Sequence, residues 1–113
     1  NLHVDYNINP HTKKFRVLNL LLYLNPIWDD SWNGHLELWN YNEKKMEYKI
    51  APLLNRAVIF NLSDISVHGH PVPLQCPEDI ERYSFAIYYF IEEPNQEYYE
   101  RTAVRWHNEF QSY

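Results

Sequence analysis

Proline sets the tightest limit on what this chain can fold into. Pro10, Pro26, Pro52, Pro71, Pro73, Pro77 and Pro94 divide it into short stretches, and a proline inside a helix or a central strand removes a backbone donor. Phe15 to Asn25 (FRVLNLLLYLN) is the most apolar run. Its length fits a helix or a strand, but the Asn25-Pro26 step disfavours helical continuation, and a strand buried on both faces has this composition. His35 to Trp39 (HLELW) alternates, Asn40 to Lys45 is a polar turn, and Met46 to Ile50 reads as the returning hairpin arm. Ala57 to Asn61 (AVIFN), Ile65 to His68 and Arg82 to Ile91 (RYSFAIYYFI) read as further strands, and Leu2 to Asp5 as the end of one. Tyr6 to Lys14 carries turn chemistry, and His70 to Glu81, with three prolines, is irregular surface chain. Gln96 to Phe110 fits a helix or a final strand equally well. About seven short strands without a convincing helix predict an antiparallel sandwich or barrel.

With 113 residues the chain is one domain, large enough to bury about two-thirds of its unfolded surface. Two glycines exclude a Gly-rich phosphate cradle, and the formal charge of −5 argues against a general nucleic-acid binder, which needs clustered Lys and Arg. Cys76 is the sole cysteine and cannot form an internal disulfide, so a reducing, cytoplasmic setting is expected. No signal peptide is legible. Val17 to Leu24 is too short to span a membrane and is interrupted by Asn19. No nucleic-acid or membrane partner is therefore expected. The chain begins at Asn1, already inside a patterned segment, and so reads as a fragment.

The chemistry starts at His3-Val4-Asp5. Strand side chains alternate faces, so His3 and Asp5 point the same way. A second histidine from a distant strand would complete a two-histidine, one-carboxylate triad, which holds one face of an iron(II) ion and leaves other positions open. Alone, the triplet reads as easily as a surface histidine beside a solvated aspartate. His68 follows a buried-strand pattern well beyond the hairpins and can supply the missing imidazole. His70 is its rival, because His68-Gly69-His70 offers two imidazoles on one side of an extended chain, and either can equally be a hydrogen-bonded loop histidine. Arg82 opens an apolar strand. It either snorkels to solvent or meets a buried carboxylate that suits its forked geometry. If Arg82 faces inward, so do Ser84, Ala86 and Tyr88. Tyr23, closing its own strand, either adds a hydroxyl donor or packs in the core with a wet phenol.

Taken in order, LHVDYN, RVLNLLLYLNPIW, NGHLELW, RAVIFNLSDISVHGHP and ERYSFAIYYF resemble the catalytic half of a 2-oxoglutarate- and Fe(II)-dependent dioxygenase of the prolyl-hydroxylase-like branch. The resemblance implies an all-β double-stranded β-helix, a jelly roll of the cupin-like kind, with a core over 2–91 and a C-terminal extension over 92–113. It implies His3, Asp5 and His68 as iron ligands, the first histidine of HGHP being the one that aligns. It implies Arg82, Tyr23 and Ser84 around 2-oxoglutarate, with Fe(2+) as cofactor, 2-oxoglutarate and O2 as co-substrates, and ascorbate as an accessory reductant. Asp5 favours hydroxylation, since halogenating relatives lack that carboxylate. A peptidyl proline, another amino acid or a small molecule is the implied substrate.

Two departures stand out. The His68-to-Arg82 interval is longer than in the prolyl hydroxylases, the extra length being VPLQCPEDI, which a related subgroup shares. The strand and helices that the family places before the His-x-Asp segment are missing, so one sheet is expected to have an open edge, filled by an upstream segment or by a dimer partner. The rival readings are a non-catalytic jelly-roll binding module with a vestigial metal site, and a cupin-type metalloenzyme that does not use 2-oxoglutarate.

Overall fold

The structure, a computed structural model, describes residues 1–94 and 100–110. It is an all-β, jelly-roll-like fold of two antiparallel sheets, with no α-helix among the described residues. The strands are β1 (His3–Val4), β2 (Phe15–Tyr23), β3 (Leu36–Asn40), β4 (Lys45–Ile50), β5 (Ala57–Asn61), β6 (Val67–Gly69), β7 (Ser84–Ile91) and β8 (Arg105–Trp106). One sheet runs β4-β3-β6-β1-β8 and the other β5-β2-β7.

β2 settles the helix-or-strand question at Phe15–Tyr23. It is a central strand, paired with β5 on one edge and β7 on the other. Its Leu-rich sequence favours a helix locally, but two flanking strands rich in β-branched and aromatic residues offer its backbone groups partners on both edges. Asn25, just beyond β2, is buried and ties three segments together. Its Nδ2 donates to the Pro52 carbonyl (2.6 Å) and its Oδ1 accepts from the Tyr83 N–H (2.6 Å). That bond takes the Tyr83 donor, and the β7 ladder begins one residue later, at Ser84. Arg82 therefore precedes the strand that its sequence pattern opens.

The β3–β4 hairpin is closed by Asn40, whose Oδ1 accepts from the N–H groups of Asn42 and Glu43, both at 3.1 Å. This is the side-chain turn that asparagine favours. β6 lies between β3 and β1, with His3 and His68 as direct cross-strand partners. The described part of the segment 96–110 is strand and turn: β8 pairs with the far edge of β1. Residues 95–99 lie outside the described residues.

Alternation along β1 divides the two faces of the five-stranded sheet. Leu2 and Val4 join Trp39, Val67 and Phe110 in a buried apolar cluster on one face. His3 and Asp5 turn to the other face, toward the second sheet. Phe110 closes the apolar cluster, with its ring 5.7 Å from Trp39 and 5.9 Å from Tyr41. β7 is an edge strand, and Phe85, Ile87, Tyr89 and Ile91 along it are exposed, as is Ile59 on β5. Among the described residues, no helix is long and apolar enough to cross a membrane.

Candidate metal centre

His3 and His68 meet because β1 and β6 pair in a register that sets them opposite each other, rings 4.6 Å apart. His3 Nε2 lies 3.4 Å from Asp5 Oδ1, and His68 Nε2 lies 3.4 Å from Asp5 Oδ2. The ligating atoms of His3, Asp5 and His68 all fall within 4.8 Å of one another.

The other ring nitrogens are anchored on backbone carbonyls. His3 Nδ1 donates to the Asn1 carbonyl (2.9 Å) and His68 Nδ1 to the Ser66 carbonyl (2.9 Å). A carbonyl only accepts, so each Nδ1 carries a proton, and Nε2, facing Asp5, is the ring nitrogen placed to meet a cation. A backbone carbonyl behind the imidazole is how metal-binding histidines are oriented. Two imidazole Nε2 atoms and a carboxylate converging on one point suit a divalent cation such as Fe(II).

Asp5 is held by a network that the sequence did not reveal. Arg16 Nη2 and Asn19 Nδ2 both donate to Asp5 Oδ2, at 3.0 and 2.8 Å, and Arg16 Nε donates to Asn19 Oδ1 at 2.9 Å. Arg16 is 3% exposed, with its guanidinium 3.6 Å over the ring of Tyr88. Burial pushes the Asp5 carboxyl up, but its hydrogen bonds to His3, His68 and Asn19 outweigh burial and hold it well below the usual carboxylate range. With Oδ2 engaged by two donors, Oδ1 is the oxygen left toward His3. One signal for Asn19 was available: counting back in twos from Tyr23 puts it on the same face. Arg16 breaks that parity, and a β-bulge between Arg16 and Leu18 restores it to the inner face.

The cavity beside this cluster is lined by His3, Asp5, His68, Arg16, Asn19 and Arg82, among others. His70 lies on its rim, exposed and past the end of β6, and is not part of the converging group. Arg82 is half-buried. Its Nε donates to the Gly34 carbonyl (2.8 Å), Nη2 reaches the Tyr23 hydroxyl (3.5 Å), and the guanidinium lies 5.1 Å over the Tyr23 ring. Among the described residues it makes no ion pair with a carboxylate. A guanidinium in a cavity without an anionic partner suits a carboxylate ligand.

Tyr23 is completely buried, and burial raises its phenol pKa against the opposing charge of Arg82. Its hydroxyl meets Arg82 and it is not among the cavity-lining residues. Ser84 pairs with Tyr23 across the β2–β7 ladder, is exposed, and also lies outside the cavity lining.

Comparison with curated proteins and with solved structures returned no match. Residues 1–90 match the family model described as the 2OG-Fe(II) oxygenase superfamily. That span contains both candidate histidines, Asp5 and Arg82, and on it the chain belongs to the 2OG-Fe(II) oxygenase superfamily, which implies Fe(2+) and 2-oxoglutarate.

Proposed function

We propose that this chain is a Fe(II)- and 2-oxoglutarate-dependent hydroxylase of the prolyl-hydroxylase-like branch. Its substrate is a peptidyl proline or another amino-acid-like or small molecule, and the products include succinate and CO2. One observation supports the reading: an arginine with no carboxylate partner among the described residues shares a cavity with a two-histidine, one-carboxylate cluster. His3, Asp5 and His68 would hold the metal. Arg82 would hold the distal carboxylate of 2-oxoglutarate, with Tyr23 and the Gly34 carbonyl holding Arg82.

When bound, Fe(II) and 2-oxoglutarate supply the oxidising chemistry that places one oxygen atom of O2 in a substrate C–H bond and the other in succinate. The chain's own task is orientation. The Nδ1 donors keep both imidazoles aimed, Arg16 and Asn19 fix the plane of the Asp5 carboxylate, and Arg82 sets the depth of the co-substrate. No side chain is assigned as a general base, because the bound metal and co-substrate would supply the oxidising chemistry.

The test is succinate formation from 2-oxoglutarate by purified protein supplied with Fe(II), ascorbate and prolyl peptides. Turnover that depends on Fe(II) and is lost in His68→Ala supports the proposal. Absence of succinate under saturating Fe(II) and 2-oxoglutarate overturns it.

A further inference from the structure

The segment from Arg101 to His107 lies outside the residues that match the superfamily, yet it touches the chain around all three candidate ligands. Arg101 donates from Nε and Nη2 to the Asp5 carbonyl, at 3.0 and 2.9 Å, while its Nη1 pairs with Asp64. Asp64 stands in the turn that leads into β6 and His68. The Arg101 backbone is fixed as well: its N–H donates to Asn7 Oδ1 (2.7 Å), and its carbonyl accepts from the N–H of Asn7 (2.9 Å). Arg105 donates to the Asp64 carbonyl.

Trp106 completes the set. It is the cross-strand partner of His3 on the edge away from His68, with its indole 5.2 Å from the His3 ring. The His3 imidazole thus lies between Trp106 and His68. The His107 N–H donates to the Leu2 carbonyl (3.0 Å), extending the same ladder.

β1 is two residues long and carries one candidate ligand, with another immediately after it. So short a ladder fixes little backbone by itself. A forked guanidinium on the Asp5 carbonyl fixes that peptide plane and with it the direction of the chain leaving Asp5. The same fork reaches Asp64, so the approach to His68 is referenced to the same group. Lysine offers a point charge on a flexible stem and cannot bridge both acceptors in this way.

Resting on the metal-centre reading above, we infer that residues 101–107 form a clasp that sets the spacing of His3, Asp5 and His68. Arg101 is the positioning residue for Asp5 and Trp106 the positioning residue for the His3 ring. Neither touches the reacting atoms. Their effect is on metal affinity and ligand geometry.

Co(II) titration of the full chain, followed by visible absorption, tests this without catalysis. Wild type should bind Co(II) and Asp5→Ala should not. Arg101→Lys should retain the metal-free far-UV circular dichroism of wild type yet bind Co(II) about ten- to a hundred-fold more weakly, with displaced d–d bands. Trp106 is 57% exposed, so Trp106→Ala should fold even if the Arg101 variant does not. It should bind several-fold more weakly, again with displaced bands. Unchanged affinity and bands in the folded variants, even with a lower melting temperature, would reduce the clasp to ordinary structure and overturn the inference alone. Failure of wild type to bind Co(II), or retention of binding by Asp5→Ala, would overturn the metal-centre reading and the clasp together.

Discussion

His3 and His68 face each other across the β1–β6 pair with their Nε2 atoms on opposite oxygens of Asp5. His70, two residues on, is exposed at the cavity rim and outside this convergence. His68→Ala should therefore abolish Fe(II) binding in an anaerobic titration, while His70→Ala should keep it within about three-fold, a change of under 1 kcal/mol. The reverse ranking would move the ligand to His70.

Arg82 and Tyr23 make unequal predictions. Removing a guanidinium from a desolvated carboxylate costs about 2 kcal/mol or more, so Arg82→Ala should weaken 2-oxoglutarate binding by roughly thirty-fold at least. Fe(II) affinity should change far less. Tyr23→Phe removes only a 3.5 Å contact to Arg82 and should cost under about 1 kcal/mol. Calorimetric titration with 2-oxoglutarate in the presence of Mn(II) separates the two. Equal losses of metal and co-substrate in Arg82→Ala would point to damage of the fold instead.

Most of this architecture was written in patterns that the chain displays locally. The runs 15–25, 57–61 and 82–91 showed as apolar stretches closed with turn residues, the first fitting a helix as well, and the structure bounds the first and last as strands at Phe15–Tyr23 and Ser84–Ile91. The pairing of His3 with Asp5 followed from alternation alone. What stayed hidden depends on contacts between distant segments. Arg16 reaches Asp5 only because a bulge shifts the strand by one residue, and nothing in FRVLNLLLY marks where the bulge falls. β8 has no periodicity to detect, being two residues held by register with β1 and by side chains at Arg101 and Arg105. Tyr23 was legible as a neighbour of Arg82 but not as a residue sealed from the cavity. That follows from packing between strands, which sequence spacing does not contain.

Arg16 and Asp5 form a buried ion pair whose loss should show in the metal-free protein. Arg16→Ala leaves Asp5 Oδ2 with Asn19 as its remaining strong donor and strands a buried carboxylate, a change that typically costs about 3 kcal/mol. Asn19→Ala removes one donor to a charged group and should cost about 1.5 to 3 kcal/mol. Urea denaturation measures both. Because Arg16 Nε also donates to Asn19 Oδ1, the double variant should cost less than the two single losses combined. Strict additivity would mean that the three residues do not act as a network.

Gly34 holds Arg82 from behind. Its carbonyl accepts from Arg82 Nε, its φ is +72°, and a Cβ there would lie 2.6 Å from Leu74 Cδ2 and 3.1 Å from Arg82 Cδ. Leu74 can swing its end away, but the Arg82 stem is tethered at Nε and the backbone conformation is one that L-residues pay about 1–2 kcal/mol to adopt. Gly34→Ala should therefore lower stability by about that amount. It should also weaken 2-oxoglutarate binding by displacing the guanidinium, while the His3–Asp5–His68 cluster, on other strands, keeps its Fe(II) affinity. Thermal melting and the two titrations together test this. Loss of stability with 2-oxoglutarate affinity intact would show that Gly34 serves only the turn before β3 and not the position of Arg82.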